Sequence, residues 1–421
     1  MKLAVVGGGS TYTPELVDGI ARLTGDIKIT ELVLVDPDAD RLSVVGPFSA
    51  RIVARYGHPA RVSWTSDLDA AVDGAGAVLL QLRVGGQATR HRDETWPLEC
   101  GCVGQETTGA GGFAKALRTV PVVLDVAERV RQLALPDAWI IDFTNPVGIV
   151  TRALLDAGHR AIGLCNVAIG FQRSFASLLG VPPESVALDH VGLNHLTWER
   201  AAIVDGADRL PELLASHGEE IALHTGLPLS ATLDVGAVPS YYLRYYWAHD
   251  AVVEEERGRQ TRAQAVAEIE RQLLEMYADP ALDTKPELLT HRGGAFYSEA
   301  AVALLASLVT DAGDRQVVNV RNNGTFPFLA DEAVIEVPAT IGADGAVPVP
   351  LAPVQPVMSG LIAHASAYEE LAVQAALHGG RERVARALLA NPLVGQYDLA
   401  QRLTDLLLAE NAAFLPWAGG Q

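Results

Sequence analysis

A glycine-rich turn follows the first short apolar run of the chain. Residues 7–12 have the sequence GGGSTY and come directly after the run 3–6. Glycines at such a point allow a tight turn and close backbone approach to a pyrophosphate, and the following helix N-terminus favours negative charge. Gly7 and Gly9 match the first two positions of the dinucleotide-binding pattern, but Tyr12 stands at the third. The segment therefore predicts a nucleotide site with one departure from the usual pattern.

An acidic residue at the end of the second apolar run strengthens this prediction. Asp36 follows the run 32–35, where a carboxylate can accept hydrogen bonds from the ribose of adenosine. A carboxylate at that point repels a 2′-phosphate, so we expect NAD rather than NADP. The alternative role for Asp36 is to cap the N-terminus of the next helix.

A cysteine and a histidine are the candidate metal ligands. Cys165 follows a short apolar run, and His195 comes 30 residues later. Thiolate and imidazole both bind divalent transition metals, although two ligands alone make an incomplete site. The alternatives are that Cys165 is a small buried apolar residue and that His195 is hydrogen-bonded in the core.

The elements that must position these residues alternate along the first half of the chain. Short, fully apolar runs are typical of strands buried on both faces of a parallel sheet. They lie at 3–6, 32–35, 77–82, 139–143 and 161–164, and helical spacing separates several of them, as at 14–23 and 114–133. Alternation of this kind predicts a doubly wound α/β domain of the Rossmann type.

The second half has sparser strands and longer helical segments. We expect a Rossmann-type NAD-binding domain over residues 1–168 and a mixed α/β domain for substrate and metal over residues 169–421. Candidate helices lie at 261–276, 298–308, 356–377 and 381–408. We expect the last of them to pack back on the first domain.

Composition excludes several classes of function. The formal net charge of −19 disfavours binding to nucleic acid or to anionic membranes. No apolar run reaches the roughly 20 residues needed to cross a bilayer. Three cysteines and a strand at the start of the chain favour a cytoplasmic protein without a targeting segment.

Seven segments in order resemble glycoside hydrolase family 4, and within it the 6-phospho-β-glucosidases. They are GGGSTYTPEL at 7–16, GQETTGAGGF at 104–113, FTNPVG at 143–148, GLCNV at 163–167, GLNH at 192–195, YLRYY at 242–246 and NVRNNG at 319–324. The family is the NAD-dependent exception among glycosidases. The resemblance implies a fold like that of lactate and malate dehydrogenases, with NAD and a divalent metal, usually manganese, as cofactors.

The resemblance also implies a mechanism. NAD takes hydride from C3 of the sugar, a base removes the acidified proton on C2, and the metal stabilises the enediolate. The group at C1 is then expelled, water adds, and the hydride returns to C3. Tyr242 is the implied base, with Tyr241 as a neighbour that is easily confused with it. Cys165 and His195 are the implied metal ligands.

Further residues are implied to bind the substrate and the cofactor. Asn166 follows the cysteine where members that cleave α-linked sugars tend to have Asp, so it favours a β-linked substrate. Arg90, Arg262 and Arg321 are candidates for the 6-phosphate, or else surface ion pairs. The expected substrate contacts are Arg90, Glu106, Asn145, Asn166, Asn194 and Arg262. The expected cofactor contacts are Gly7, Gly9, Ser10, Thr11, Asp36, Arg83, Thr107 and Asn145.

Two other functions stay open at this point. An NAD-dependent hydroxyacid dehydrogenase would use a histidine such as His195, but it would give no role to Cys165 or to YLRYY. A nucleotide sensor without activity is disfavoured because Tyr242, Cys165 and His195 are all present. A related glycosidase acting on a non-phosphorylated or differently configured sugar is a further alternative. We expect a phosphorylated disaccharide or aryl glycoside as substrate, and a homodimer or homotetramer.

Overall fold

The computed structural model describes residues 1–23, 27–294 and 296–418. Strands and helices alternate through the first part of the chain, as the apolar runs predict. In chain order they are β1 (Lys2–Val6), α1 (Thr13–Leu23), β2 (Glu31–Val35), α2 (Ala39–Arg55), β3 (Arg61–Thr65), α3 (Leu68–Val72), β4 (Ala77–Leu80), α4 (Gly86–Asp93), α5 (Gly109–Leu133), β5 (Trp139–Asp142), α6 (Val147–Asp156), β6 (Ala161–Gly163) and α7 (Val167–Leu179).

Strands β1 to β6 form one parallel sheet in the order β3-β2-β1-β4-β5-β6. This is the strand order of dinucleotide-binding folds, with a topological switch point between β1 and β4. The predicted Rossmann-type sheet is confirmed. The edge strand β3 was not predicted, because its side chains are exposed or only partly buried and its sequence has no continuous apolar run.

The second part of the chain contains more helix. Its elements are β7 (Val186–Leu193), β8 (Leu196–Val204), β9 (Ala207–Asp208), α8 (Leu210–Thr225), α9 (Leu229–Val235), β10 (Val238–Pro239), α10 (Arg244–Trp247), α11 (His249–Glu256), α12 (Arg262–Tyr277), α13 (Tyr297–Thr310), β11 (Asp314–Arg321), β12 (Val334–Gly342), β13 (Gly345–Pro348), α14 (Pro356–His378), α15 (Arg381–Ala390) and α16 (Tyr397–Glu410). Short 3-10 turns lie at Trp96–Cys100, Pro183–Ser185, Tyr241–Leu243, Glu287–Arg292, Ala412–Phe414 and Pro416–Ala418.

Strands from both parts of the chain share one sheet. Strands β11, β12 and β13 extend the parallel sheet beyond β6 in antiparallel fashion, and Asn319 pairs with Gly163 at the junction. Strands β7, β8, β9 and β10 form a second, antiparallel sheet. A division of the chain at residue 168 stays a prediction.

The last helices pack on α5. Phe113 and Leu117 of α5 share a buried cluster with Ala372 of α14 and Leu403 of α16. The segment 381–408, predicted to be helical, contains two helices, α15 and α16, separated by a segment that contains Pro392. Proline lacks an N–H group and clashes with the preceding turn, so a break at this point is expected. Throughout the described ranges, every helix is too short or too polar to cross a membrane.

Candidate active site

The glycine turn lies at the carboxyl end of β1, beside the end of β2. Gly7 has a φ of +86°, which favours glycine, and its N–H donates to the Val35 carbonyl at 2.9 Å. A Cβ on Gly9 would lie 2.9 Å from the Asp36 carboxyl carbon, so a larger residue does not fit there. The Gly9 N–H instead donates to Asp36 at 3.1 Å. The glycine turn and Asp36 therefore lie beside each other.

Asp36 is a partly buried carboxylate at the end of β2. Burial raises its pKa, and hydrogen bonds from the N–H groups of Asp38 and Gly9 oppose that shift. The alternative role, capping of α2, belongs to Asp38, whose side chain accepts from the N–H of Arg41 at 3.0 Å. Asp36 is consequently available to a ligand at the carboxyl edge of the sheet.

A segment from the second part of the chain explains Tyr12 in place of the third glycine. The Tyr12 hydroxyl donates to the Gly294 carbonyl at 2.6 Å, and a Cβ on Gly294 would lie 2.7 Å from the Tyr12 ring. The Arg292 guanidinium donates to Thr11 Oγ1 at 2.7 Å and to Ser10 Oγ at 3.2 Å. The glycine turn is thus hydrogen-bonded to a segment from the second part of the chain. Sequence reasoning missed Arg292, because nothing local indicates a contact across about 280 residues.

A cluster of charged side chains lies where β4 and the GQETTG segment meet. Glu106 accepts from Arg83, and it lies 2.6 Å from Lys115 Nζ and 3.1 Å from Arg90 Nε. Burial alone would raise the pKa of Glu106, but the charges of Arg83, Lys115 and Arg90 hold it well below its usual range. Burial and the Arg83 charge lower the pKa of Lys115 to about 7, although Glu106 opposes this. Lys115 was not among the predicted residues.

Arg90 has a second carboxylate partner and a neighbouring arginine. Arg90 also pairs with Glu94 at 2.7 Å. Arg262, the first residue of α12, donates to the carbonyls of His291 and Arg292 at 2.8 and 3.1 Å. Burial and the nearby Arg90 charge lower the pKa of Arg262. Two predicted phosphate ligands, Arg90 and Arg262, therefore lie near each other.

Arg321 lies apart from that pair. Its guanidinium is 2.6 Å from Asp156 and donates to the Glu332 carbonyl. Since these partners are on helix α6 and the loop before β12, Arg321 forms the surface ion pair that was its alternative role.

The two candidate metal ligands are linked through Asn194, the neighbour of His195 in the chain. Cys165 follows β6, and His195 lies in the two-residue turn between β7 and β8 with a φ of +64°. Both side chains are buried. The amide of Asn194 hydrogen-bonds the Cys165 thiol, and His195 Nδ1 lies 3.1 Å from Thr107 Oγ1. The hairpin turn thus brings His195 and Asn194 to the carboxyl edge of the larger sheet.

The donor set fits a divalent transition metal. Burial lowers the pKa of His195 to about 4, so its imidazole is neutral at pH 7 and keeps a lone pair for a metal. Burial and the Glu336 charge raise the pKa of Cys165 well above its usual value, and a bound cation would reverse this. In the described part of the chain, no group of three or more His, Cys, Asp and Glu side chains is placed to hold a metal. Two protein ligands would leave positions open to substrate and water.

Tyr242, and not Tyr241, lies against this pair. Its ring stacks on the His195 imidazole with centroids 3.6 Å apart and planes 5° from parallel. Burial, followed by the Cys165 and Tyr245 charges, raises the pKa of Tyr242 well above 10. Tyr241 is 40% exposed, and its hydroxyl accepts from Arg244 at 2.5 Å. Of the two adjacent tyrosines, Tyr242 therefore lies at the candidate metal site and Tyr241 lies at the surface.

Two asparagines border the same site. Asn145 follows β5, and its side-chain oxygen is buried without a hydrogen-bond partner among the described residues. Asn166 directly precedes α7 and follows Cys165. An unsatisfied buried oxygen is costly, so Asn145 is suited to accept a hydrogen bond from a ligand.

Comparisons with known proteins agree with this geometry. The family model "Family 4 glycosyl hydrolase" matches residues 2–181, and "Family 4 glycosyl hydrolase C-terminal domain" matches residues 190–394. A probable 6-phospho-beta-glucosidase of Bacillus subtilis is 35% identical over 99% of this chain and 97% of its own length.

Solved structures give the same result. The 6-phospho-beta glucosidase of Thermotoga maritima with manganese, NAD+ and glucose-6-phosphate has a TM-score of 0.92 and 34% identity, covering 99% of each chain. A 6-phospho-alpha-glucosidase from gut microorganisms with NAD and Mn2+ has a TM-score of 0.89 and 26% identity over 99% of each chain. Malate dehydrogenase from Aeropyrum pernix, at a TM-score of 0.55 and 15% identity, covering 88% of this chain and 97% of its own, shares the fold. The chain therefore belongs to family 4 of the glycosyl hydrolases.

Proposed function

We propose that the protein hydrolyses 6-phospho-β-glucosides, with NAD at the glycine turn and a divalent metal, Mn2+, at Cys165 and His195. The observation that carries the proposal is the placement of Tyr242 against His195, beside Cys165. The proposed base, the two metal ligands and the nucleotide turn lie at one edge of the sheet. This arrangement fits a route of oxidation followed by elimination. The relatives named above, with NAD, manganese and glucose-6-phosphate in the Thermotoga maritima structure, support the same assignment.

The residues at the nucleotide end have defined roles in this proposal. Gly7 and Gly9 leave room for the pyrophosphate, Ser10 and Thr11 contribute hydroxyls, and Asp36 accepts from the adenosine ribose. Farther along the sheet edge, Arg83, Thr107 and Asn145 are expected to contact the cofactor. The order of the strands, whose carboxyl ends meet along one crevice, supports these assignments.

The residues at the metal end provide the acid-base chemistry. When bound, NAD would accept and return a hydride at C3 of the sugar, and the cation would polarise the neighbouring sugar oxygens as a Lewis acid. Tyr242 removes the proton from C2, while Cys165 and His195 hold the cation. Burial opposes ionisation of the Tyr242 phenol, so a positive charge close to its oxygen is needed for it to act as a base near neutral pH.

Substrate choice rests on a second set of residues. The Arg90 charge is near enough to Arg262 to lower its pKa, and Arg262 donates to backbone carbonyls rather than to a carboxylate. An anionic 6-phosphate would give it a charged partner. Asn166 is an amide and cannot protonate a leaving group, in agreement with a β-linked substrate. Glu106 and Asn194 are expected to contact the sugar. A substrate of this kind, together with three free cysteines, favours the cytoplasm as the place of action.

The test is cleavage of p-nitrophenyl β-glucoside 6-phosphate in D2O, with NAD and Mn2+ each present or omitted. We expect release that needs both additions and deuterium at C2 of the product. The α-linked 6-phosphate and the unphosphorylated β-glucoside serve as comparison substrates. Preferential cleavage of either one would overturn the substrate assignment, and accumulation of NADH with a hydroxyacid would overturn the hydrolase proposal.

A further inference from the structure

A buried ionic network lies directly behind the turn that holds Asn194 and His195. His190 of β7 is fully buried, and its two ring nitrogens face two carboxylates. Nδ1 is 2.6 Å from Glu199 of β8, and Nε2 is 3.2 Å from Glu336 of β12. Both glutamates are at most 1% exposed. The network thus joins the antiparallel sheet to the larger sheet at the level of the metal ligands.

The second oxygen of Glu336 connects this network to the candidate metal site. Glu336 Oε2 accepts from the side-chain amide of Asn194 at 3.0 Å and from that of Asn319 at 2.9 Å. The Asn194 side chain in turn hydrogen-bonds the Cys165 thiol. A continuous series of polar contacts therefore runs from Glu199 to Cys165.

Packing alone does not explain why His190, Glu199 and Glu336 are ionisable residues. Three ionisable groups in a core cost desolvation energy, and apolar residues of similar volume often replace such groups without loss of stability. Burial opposes protonation of His190, but Glu199 and Glu336 raise its pKa to about 10, so its imidazole is charged. Burial likewise opposes ionisation of Glu336, yet the hydrogen bond and charge of His190 lower its pKa. Burial raises the pKa of Glu199, whereas Glu336, whose charge acts on both Cys165 and His195, keeps its negative charge.

We infer that Glu336, held between His190 and Asn319, is a positioning residue for the divalent cation. It fixes the Asn194 amide on the Cys165 sulfur and keeps the His195 turn in place, and its negative charge favours a cation nearby. Partners of metal ligands commonly orient those ligands and raise their affinity for the metal. This inference rests on the proposed function, because it presumes that Cys165 and His195 bind the metal.

The experiment measures metal binding by the full chain, without turnover. Co2+ is titrated and followed by the thiolate-to-cobalt charge-transfer absorption, and Mn2+ is titrated and followed by electron paramagnetic resonance. Glu336→Gln keeps the shape of the side chain and removes its charge. We expect this variant to bind both ions about 10- to 100-fold more weakly than the wild type.

A matched control neutralises a different buried carboxylate. Asp18 of α1 is 3% exposed and pairs with Arg22 and Lys285, so Asp18→Asn makes the same chemical change away from the site. We expect Asp18→Asn to leave both metal affinities unchanged even if its thermal midpoint falls. Loss of metal affinity in Glu336→Gln but not in Asp18→Asn, at comparable thermal midpoints, would separate positioning from general destabilisation.

The possible failures are distinguishable. Wild-type affinity and an unchanged charge-transfer band in Glu336→Gln would overturn the inference while leaving the metal site in place. No charge-transfer band in the wild type would overturn the metal assignment of Cys165 itself. If Glu336→Gln does not fold, the metal affinity of Asn194→Ala is measured instead. This variant removes the hydrogen bond to Cys165 and leaves the ion pairs of His190 with Glu199 and Glu336 intact. Wild-type affinity in Asn194→Ala would then overturn the inference.

Discussion

The ring of Tyr242 lies flat on the imidazole of His195, with 3.6 Å between the ring centroids and 5° between the ring planes. The two residues come from different elements, a 3-10 turn and the β7–β8 turn. Because the stack fixes the tyrosine ring beside a candidate metal ligand, its hydroxyl is held at one place rather than sampling several. A base that acts on one carbon of a sugar needs this restriction.

Replacement of Tyr242 by Phe should therefore preserve the stack and remove the base. We expect kcat for the phosphorylated β-glucoside to fall about 10²- to 10⁴-fold, the usual contribution of a general base. Deuterium incorporation at C2 in D2O should fall in parallel, while the affinity for NAD stays unchanged. Tyr246→Phe, in the same aromatic segment, is the control and should retain activity. Undiminished C2 exchange in Tyr242→Phe would show that another group is the base.

Removal of the Arg262 side chain should affect the phosphorylated substrate alone. Charge-assisted hydrogen bonds contribute about 1.5–3 kcal/mol, so Arg262→Ala should raise KM for the 6-phosphate about 10- to 100-fold. The rate with the unphosphorylated glycoside should not change. Arg321→Ala removes an arginine from the ion pair with Asp156 and is the matched control. Equal KM changes in the two variants would argue against a phosphate contact at Arg262.

The sequence was sufficient to predict the parts of the site that depend on local pattern. Buried parallel strands are continuous apolar runs, and their carboxyl ends share one edge, so Asp36 after β2 and Cys165 after β6 could be expected beside that edge. Contacts over a long sequence separation have no such pattern. Arg292 reaches Thr11 across 281 residues, and Glu336 reaches Asn194 across 142. These contacts form only when the two halves of the chain pack together, so the sequence of a single segment does not predict them.

Lys115 shows a different limit of sequence reasoning. It lies within α5 among small and apolar residues, where a lysine is usually taken as a solvated side chain. The structure instead buries it against Glu106, whose Oε2 lies 2.6 Å from Lys115 Nζ. The burial of Lys115 can be predicted only when its carboxylate partner, from another segment of the chain, is known.

Asp36 should determine the choice between NAD and NADP. Asp36→Ala removes the acceptor for the adenosine ribose and the repulsion of a 2′-phosphate, while Arg41, whose Nε donates to the Gly9 carbonyl at 2.9 Å, is close to the turn. We expect NAD affinity to fall about tenfold or more and NADP affinity to rise, measured by fluorescence titration. Asp38→Ala removes the cap of α2, which should cost about 1 kcal/mol of stability and leave cofactor choice unchanged. An unaltered preference for NAD in Asp36→Ala would contradict the ribose assignment.

The stability of the fold should carry a pH dependence from Asp142. This carboxyl group at the end of β5 is fully buried, and burial raises its pKa to about 8 in spite of the hydrogen bond from the Thr144 N–H. In the unfolded chain an aspartate titrates near pKa ~3.9. The folded protein thus holds a proton that the unfolded chain has lost between about pH 4 and pH 8, so stability falls as pH rises through this range.

The Asp142→Asn variant has no ionisable group at this position, so its stability should lack this dependence on pH. Between pH 5 and pH 8, the free energy of unfolding of the variant should rise relative to that of the wild type by on the order of 1 kcal/mol per pH unit. Thermal midpoints measured across this range give the difference directly. Asp18→Asn is the control: pairing with Arg22 and Lys285 lowers the Asp18 pKa against the effect of burial. Its contribution to stability is lost only below about pH 4, so the difference between Asp18→Asn and the wild type should stay constant from about pH 5 to pH 8. A constant difference between Asp142→Asn and the wild type from pH 5 to pH 8 would mean that Asp142 is ionised in the folded protein, with a compensating partner near its second oxygen.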